Sequence, residues 1–222
     1  MGEWHPLSTA RGEVQAWLAR PEQAPRGAIV VIQEIFGVTA HIRDVADRFA
    51  AAGFTAMAPA FFDLQQPGVE LDYDADGMAR GREFVGKLGF DGALAVVAAA
   101  AQALRKPGHR VGAVGYCWGG TIALLANTRF GLPAVSYYGA RNVPFLVEPA
   151  RAPLMFHVGG KDPSIPEEDI EEHRSRQPQA QLFVYPDAGH AFNRDVDPHA
   201  YEPASARLAW QRTLDFFGEH LK

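Results

Sequence analysis

The stretch VGAVGYCWGGTI, residues 111–122, carries the only cysteine of the chain, Cys117. Residues 111–114 form an apolar run, and Gly115 and Gly119 flank a Tyr-Cys-Trp triplet in the pattern G-x-C-x-G. A strand that passes into a helix across so short a turn forces the residue at its apex into a strained backbone conformation. Its neighbours must lack a Cβ so that strand and helix can approach. This is the nucleophile-elbow pattern, with cysteine where serine is usual. The head of the helix supplies amide donors and the positive end of a dipole, and both favour a thiolate and a developing oxyanion. The plainer alternative is a small buried cysteine beside packing glycines, because free cysteine is among the most buried residue types.

On either side of this stretch the chain alternates strands and helices. Residues 27–33 (GAIVVIQ) are a continuous apolar run rich in β-branched residues, as in a strand buried on both faces. Residues 41–53 place Ile42, Val45, Ala46 and Phe49 at helical spacing and end at Gly53. A second strand spans 54–59, and 64–78 is polar and turn-rich, which predicts a surface excursion. Residues 80–104 read as one or two helices, with Gly89 or Gly92 as the break. Further strands are expected at 110–115, 134–138, 153–158 and 181–185. Helices are expected at 119–127, after Ser164 and over 204–221, the last with apolar Leu208, Leu214, Phe216, Phe217 and Leu221. Ser164 and Glu167 form a capping-box pattern at the start of the helix between. Strand–helix alternation from end to end predicts one α/β domain over residues 1–222, a mostly parallel central sheet with helices on both faces.

Composition narrows the function classes. With 222 residues, 47% hydrophobic and 21% charged, the chain has ordinary globular composition and enough length for a sizeable core. A formal charge of −5 argues against a nucleic-acid binder. No apolar run approaches the roughly 20 residues that cross a bilayer. The N-terminal MGEWHPLSTARGEV lacks the order of a signal peptide, and Pro6 stands where myristoylation needs Ser or Thr. One cysteine allows no internal disulfide and no cysteine-rich zinc site. A cytoplasmic protein without membrane or nucleic-acid partners is the expectation.

In open α/β sheets ligands gather at the carboxyl ends of the strands. Downstream of an elbow, an acid and then a histidine complete the order nucleophile, acid, base. Asp162 follows the strand at 153–158, and His190 follows the strand at 181–185, so both fall at the same sheet edge as Cys117. Taken singly, Asp162 is a turn residue and His190 a loop histidine as readily as either is functional; their joint order favours function. His5, His41, His109, His173, His199 and His220 are expected at the surface, and His157 in the core. No HxH or HExxH spacing supports a metal site, and no GxxxxGK[ST] or GxGxxG pattern supports nucleotide binding. Glu34, in Gln33-Glu34-Ile35-Phe36-Gly37, also follows a strand and is either a loop acid or a carboxylate close to the elbow. In this loop the N–H of Ile35 would pair with the N–H of Trp118 as the two oxyanion donors.

These residues resemble the dienelactone hydrolase (carboxymethylenebutenolidase) family, through VIQEIFGV (31–38), VGYCWGG (114–120), SYYGA (136–140), FHVGGKD (156–162) and YPDAGHAFNR (185–194). The resemblance spans essentially the whole chain and implies the α/β-hydrolase fold. It implies a triad of Cys117, Asp162 and His190, with Glu34 as an added switch. In the family the resting thiol is neutral and bonded to the glutamate that Glu34 matches. An arginine, matched by Arg194, pairs with that glutamate until an anionic substrate competes for it. A second arginine binds the substrate carboxylate, and Arg80 matches it best, with Arg82 as the fallback. Where the family often has a tyrosine four residues on, this chain has Phe84 and lacks that hydroxyl. Tyr138, at a strand end, either lines the pocket or packs. The expected activity is hydrolysis of lactones or activated esters, carboxylate-bearing ones above all, through an acyl-enzyme. No cofactor is implied, the partner is a small-molecule lactone or ester, and the assembly is a monomer or weak homodimer. A general carboxylesterase on the same triad and a non-catalytic or redox-responsive scaffold are the alternatives.

Overall fold

A computed structural model describes residues 1–105 and 110–222, so the expectation for His109 lies outside the described residues. The chain divides into two compact units, Met1–Gly112 with Leu221–Lys222, and Ala113–His220.

The first unit opens with an antiparallel hairpin, β1 (Glu3–Thr9) and β2 (Gly12–Ala19), in the register Thr9↔Gly12. Strand–helix alternation therefore does not run from end to end. The signal for β2 is a period of two: Val14, Ala16 and Leu18 are buried while Glu13 and Gln15 are exposed. β3 (Ala28–Ile32) is buried at every position, as its unbroken apolar run requires. Helix α1 (Ala40–Ala51) follows, turning Ile42, Val45, Ala46 and Phe49 inward, and the chain turns at Gly53, whose φ is +93°. β4 (Thr55–Pro59) pairs in parallel with β3 and antiparallel with β2.

Residues 64–78 are less exposed than their polarity predicts. Val69 and Leu71 are buried, and the Leu71 N–H donates to the Phe36 carbonyl at 2.9 Å. Helix α2 (Ala75–Leu104) begins within that stretch, capped by Asp74, whose carboxylate accepts the Gly77 N–H at 2.7 Å. Such a cap contributes about 1 kcal/mol. The helix breaks at Gly89 (φ 65°, ψ 173°), one of the two expected positions. Among the described residues α2 is the one helix long and apolar enough to cross a membrane, but it packs against β1, β3 and β4 and half of its most apolar stretch is buried.

The second unit holds four strands in parallel succession: β5 (Val111–Tyr116), which enters it at Ala113, β6 (Ala134–Tyr137), β7 (Leu154–Gly159) and β8 (Gln181–Tyr185). Helices α3 (Trp118–Phe130), α4 (Glu167–Arg176) and α5 (Pro203–His220) connect or follow them. α3 is buried over most of its circumference and stops at left-handed Gly131. The expected capping box does not form: Pro166 stands at the cap of α4, with no side-chain hydrogen bond, and Ser164 instead donates its N–H to Asp162. His41 and His173 are buried rather than exposed. The His173 ring lies between the Asp169 carbonyl and the Asn142 amide, which bond its two nitrogens at 2.6 and 3.0 Å. Leu208 points to solvent, while Phe216, Phe217 and Leu221 are buried. The result is an α/β fold of mostly parallel strands flanked by helices.

Candidate active site

Cys117 stands between the end of β5 and the start of α3 with φ 56° and ψ −120°, a left-handed backbone rare outside glycine. Two close approaches hold it there. A Cβ on Gly115 would lie 1.8 Å from the Gly119 carbonyl oxygen, and one on Gly120 would lie 2.7 Å from that of Tyr137. The Cys117 N–H donates to the Tyr137 carbonyl at 3.0 Å, and its own carbonyl accepts the Gly120 N–H at 2.9 Å. The thiol is half-buried at the positive end of the α3 dipole.

Asp162 and His190 occupy the loops after β7 and β8, which are parallel neighbours. His190 Nδ1 donates to Asp162 Oδ2 at 2.7 Å, and Asp162 Oδ1 accepts the Ser164 N–H at 2.8 Å. Both carboxylate oxygens are thus committed, which fixes the plane of the acid and the tautomer of the base. The other hydrogen-bond partner of the imidazole is Cys117. Burial disfavours charge on this ring, but its hydrogen bonds and electrostatic interactions with Asp162 and Cys117 outweigh it and raise the His190 pKa to about 10.

The two loops are stitched together where glycine is required. Lys161 N–H donates to the Ala188 carbonyl at 2.8 Å, and a Cβ on Gly159 would fall 2.6 Å from the carbonyl oxygens of Ala188 and Gly189. Ala191, directly after His190, takes φ 59°, and the Arg194 N–H closes that turn on the Ala191 carbonyl at 2.9 Å. The Arg194 guanidinium is buried and donates to Asp197 Oδ2 at 3.1 Å. Tyr138 is a third non-glycine residue in a left-handed conformation, φ 40°, with its N–H on the His157 carbonyl at 2.8 Å. Its ring reaches no solvent and meets the His190 ring edge-on at 5.1 Å, so it braces the imidazole rather than lining an open pocket.

In the first unit, the loop at residues 33–37 is organised by Gln33. This buried side chain accepts the Phe61 N–H and donates to the Glu34 carbonyl, both at 3.1 Å. Glu34 is 1% exposed, which removes the loop-surface alternative for its carboxylate. Gly37 (φ 89°) permits the approach of the Val69 carbonyl, 2.0 Å from where its Cβ would be. Gly81 does the same for Ile35, whose carbonyl oxygen would lie 2.2 Å from an added Cβ. Arg80, one residue earlier on α2, is exposed and has no hydrogen bond or ion pair among the described residues, whereas Arg82 donates to Met78 Sδ at 3.5 Å. Phe84 is half-buried and stacked on Phe62, with ring centroids 5.0 Å apart.

Residues 14–221 match the profile of the dienelactone hydrolase family. The chain belongs to the dienelactone hydrolase family. A protein of Escherichia coli strain K12 is 37% identical over 227 residues, covering 92% of this chain and 82% of its own. The carboxymethylenebutenolidase of Pseudomonas putida is 35% identical over 218 residues, covering 90% and 89%. A crystal structure from Klebsiella pneumoniae matches with TM-score 0.87 and 32% identity over 99% of this chain and 98% of that one. The fold is that of the α/β-hydrolases, and this member of the dienelactone hydrolase family is a hydrolase of esters or lactones. Three positions of this family member carry no site reading in the sequence, Gln33, Gly81 and Gly159, and Ser164 reads there only as a helix cap. Gly159, in the Val-Gly-Gly-Lys-Asp run before Asp162, had a legible signal, since paired glycines mark close backbone approach. The others act on partners distant in sequence or through a backbone amide.

Proposed function

We propose that the protein is a cysteine-dependent hydrolase of lactones or activated esters, preferring substrates that carry a carboxylate, and that it works through Cys117, His190 and Asp162. The observation that carries this is the hydrogen-bonded row of Asp162, His190 and Cys117, with 2.7 Å between His190 Nδ1 and Asp162 Oδ2 and the cysteine on a left-handed apex. Once the thiol proton has left, the charged imidazole beside the sulfur stabilises the thiolate, which is the nucleophile. The sulfur attacks the carbonyl carbon, the bond to the leaving oxygen breaks, and that oxygen takes the proton from His190. Water then attacks the thioester as His190 removes its proton, and Cys117 leaves as thiolate. The N–H groups of Ile35 and Trp118 are the oxyanion donors in this scheme. Following the family resemblance, Glu34 takes the thiol proton, Arg194 restrains Glu34 until substrate arrives, and Arg80 binds the substrate carboxylate. The guanidinium of Arg80, exposed and without a hydrogen bond or ion pair among the described residues, supports it over Arg82.

A general carboxylesterase is the second reading, and Phe84 favours it, because a ring stacked on Phe62 offers no hydroxyl to a carboxylate. Turnover of cis- and trans-dienelactone and of neutral aryl esters separates the two. Cys117→Ala is expected to lower kcat/KM about 10³-fold or more on every substrate. Equal rates in the two proteins remove Cys117 from the chemistry. Arg80→Ala is expected to raise KM roughly tenfold or more for carboxylate-bearing substrates and less than about twofold for neutral esters, the size of one lost charge-assisted hydrogen bond. Equal effects on both classes leave the general esterase.

A further inference from the structure

The loops after β6, β7 and β8 carry Tyr138, Asp162 and His190, and one buried chain of hydrogen bonds ties these three strands to α5. Arg212 Nη1 donates to the Tyr185 hydroxyl at 3.1 Å. A guanidinium only donates, so the Tyr185 proton passes on to His157 Nδ1 at 2.8 Å. His157 must then carry its own proton on Nε2, which meets Thr213 Oγ1 at 3.1 Å. Thr213 and the Tyr137 hydroxyl share the last bond, at 2.7 Å. Tyr137 ends β6, Tyr185 ends β8, and His157 lies opposite Tyr137 in the β6–β7 register.

The chain continues into the site through aromatic rings. Phe192, two residues after His190, packs against Tyr137, Tyr138 and Tyr185 at centroid distances of 6.2, 5.5 and 5.1 Å. Tyr138 in turn meets the His190 ring edge-on. No other uncharged side chain donates and accepts along a fixed line from a rigid ring, which is what the position between Tyr185 and Thr213 demands. Burial, reinforced by the Arg212 charge, lowers the His157 pKa to about 3 and keeps the ring neutral.

We propose that His157 is a positioning residue: held between Tyr185 and Thr213, it sets the ends of β6, β7 and β8 in register, and through Phe192 and Tyr138 aligns the His190 imidazole between Asp162 and Cys117. The titratable and hydrogen-bonding groups that face His157 are Tyr137, Tyr185, Thr213 and Arg212, and those that face His190 are Asp162, Cys117 and Tyr138. The inference rests on the pairing of Cys117 with His190 in the proposed mechanism, so its test reads that pair without requiring turnover.

The pH dependence of Cys117 alkylation by iodoacetamide is measured for the full chain and three variants, each checked for a cooperative urea transition. His157→Phe keeps a ring but loses both bonds; it is expected to react at least tenfold more slowly at pH 7, with a midpoint at least one pH unit higher. His157→Gln keeps a donor and an acceptor and is expected to return to within about threefold of the native rate. Tyr185→Phe removes one bond, is expected to shift the profile in the same direction by a smaller amount, and carries the test if His157→Phe does not fold. A native alkylation profile in His157→Phe or Tyr185→Phe, or equal losses in His157→Phe and His157→Gln, overturns the proposal. Absence of any ester or lactone turnover by the native protein, with the alkylation shifts intact, overturns the hydrolase reading and leaves the positioning role standing.

Discussion

His190 keeps its charge because two acceptors face a ring that burial alone would neutralise. With its pKa raised to about 10, the folded ring stays charged through neutral pH and loses its proton as pH rises through about 10, and the stability that this charge contributes is complete below the ordinary value of 6.5. In the proposed mechanism the proton on His190 goes to the leaving oxygen, so kcat/KM is expected to hold through neutral pH and fall about tenfold per pH unit above 10. Asp162→Asn removes the first of the groups that raise the pKa and should bring the alkaline limb down by more than about one unit. A pH–rate profile with the same limb in both proteins would argue against the Asp162–His190 coupling. Of these residues, Cys117, Asp162 and His190 were legible because each sits just past an apolar run in a local pattern. The second anchor of Asp162, the Ser164 N–H, was not, since backbone donors leave no mark in side-chain identity.

Elements show the same division. β3 and β5 are unbroken apolar runs, β7 is one interrupted only by His157, and α1 is a regular amphipathic pattern, so both types announce themselves. The β1–β2 hairpin is faint in the sequence because its alternation is carried by single apolar residues among polar ones. Glycines along α2 divide by what surrounds them. Gly81 abuts the Ile35 carbonyl, whereas among the described residues nothing beyond the helix's own neighbouring backbone lies within 4 Å of a Cβ on exposed Gly86. Gly86→Ala is therefore expected to stabilise the protein by about 0.5–1 kcal/mol through helix propensity and chain entropy. Gly81→Ala is expected to destabilise it by about 1–3 kcal/mol, the usual cost of overpacking, and to lower activity by shifting the Ile35 amide. Urea midpoints for the pair check this, and a stabilising Gly81→Ala would contradict the close approach.

Across the molecule, stability should decline on both sides of neutrality for separate reasons. His157 has its folded pKa depressed to about 3, so its contribution is present above 6.5 and is lost as pH falls towards 3. One proton bound only by the unfolded chain gives a slope of about 1.4 kcal/mol per pH unit in that window. His173 is lowered as well, mainly by burial, and adds in the same direction. On the alkaline side His190 removes stability as pH approaches 10. Urea unfolding between pH 4 and 9 is expected to show a maximum near neutrality, with a flatter acid side in His157→Gln. An acid slope equal to the native one in that variant would mean that His157 takes up its proton in the folded state.

Local order of residue types was enough for the succession of strands and helices from β3 onward, the elbow at Cys117 and the order of Cys117, Asp162 and His190. Each of these rests on neighbours within a few positions, and short-range sterics and periodicity act at that distance. Burial of His41 and His173, the packing of Tyr138 on His190, the brace of Gly81 on Ile35 and the bonded chain through His157 depend on partners tens of residues away. A histidine reads alike in a sequence whether water or a buried hydroxyl will face it. Its pKa of about 10 at His190 and about 3 at His157 is decided only when the folded chain brings a carboxylate to one ring and excludes water from the other.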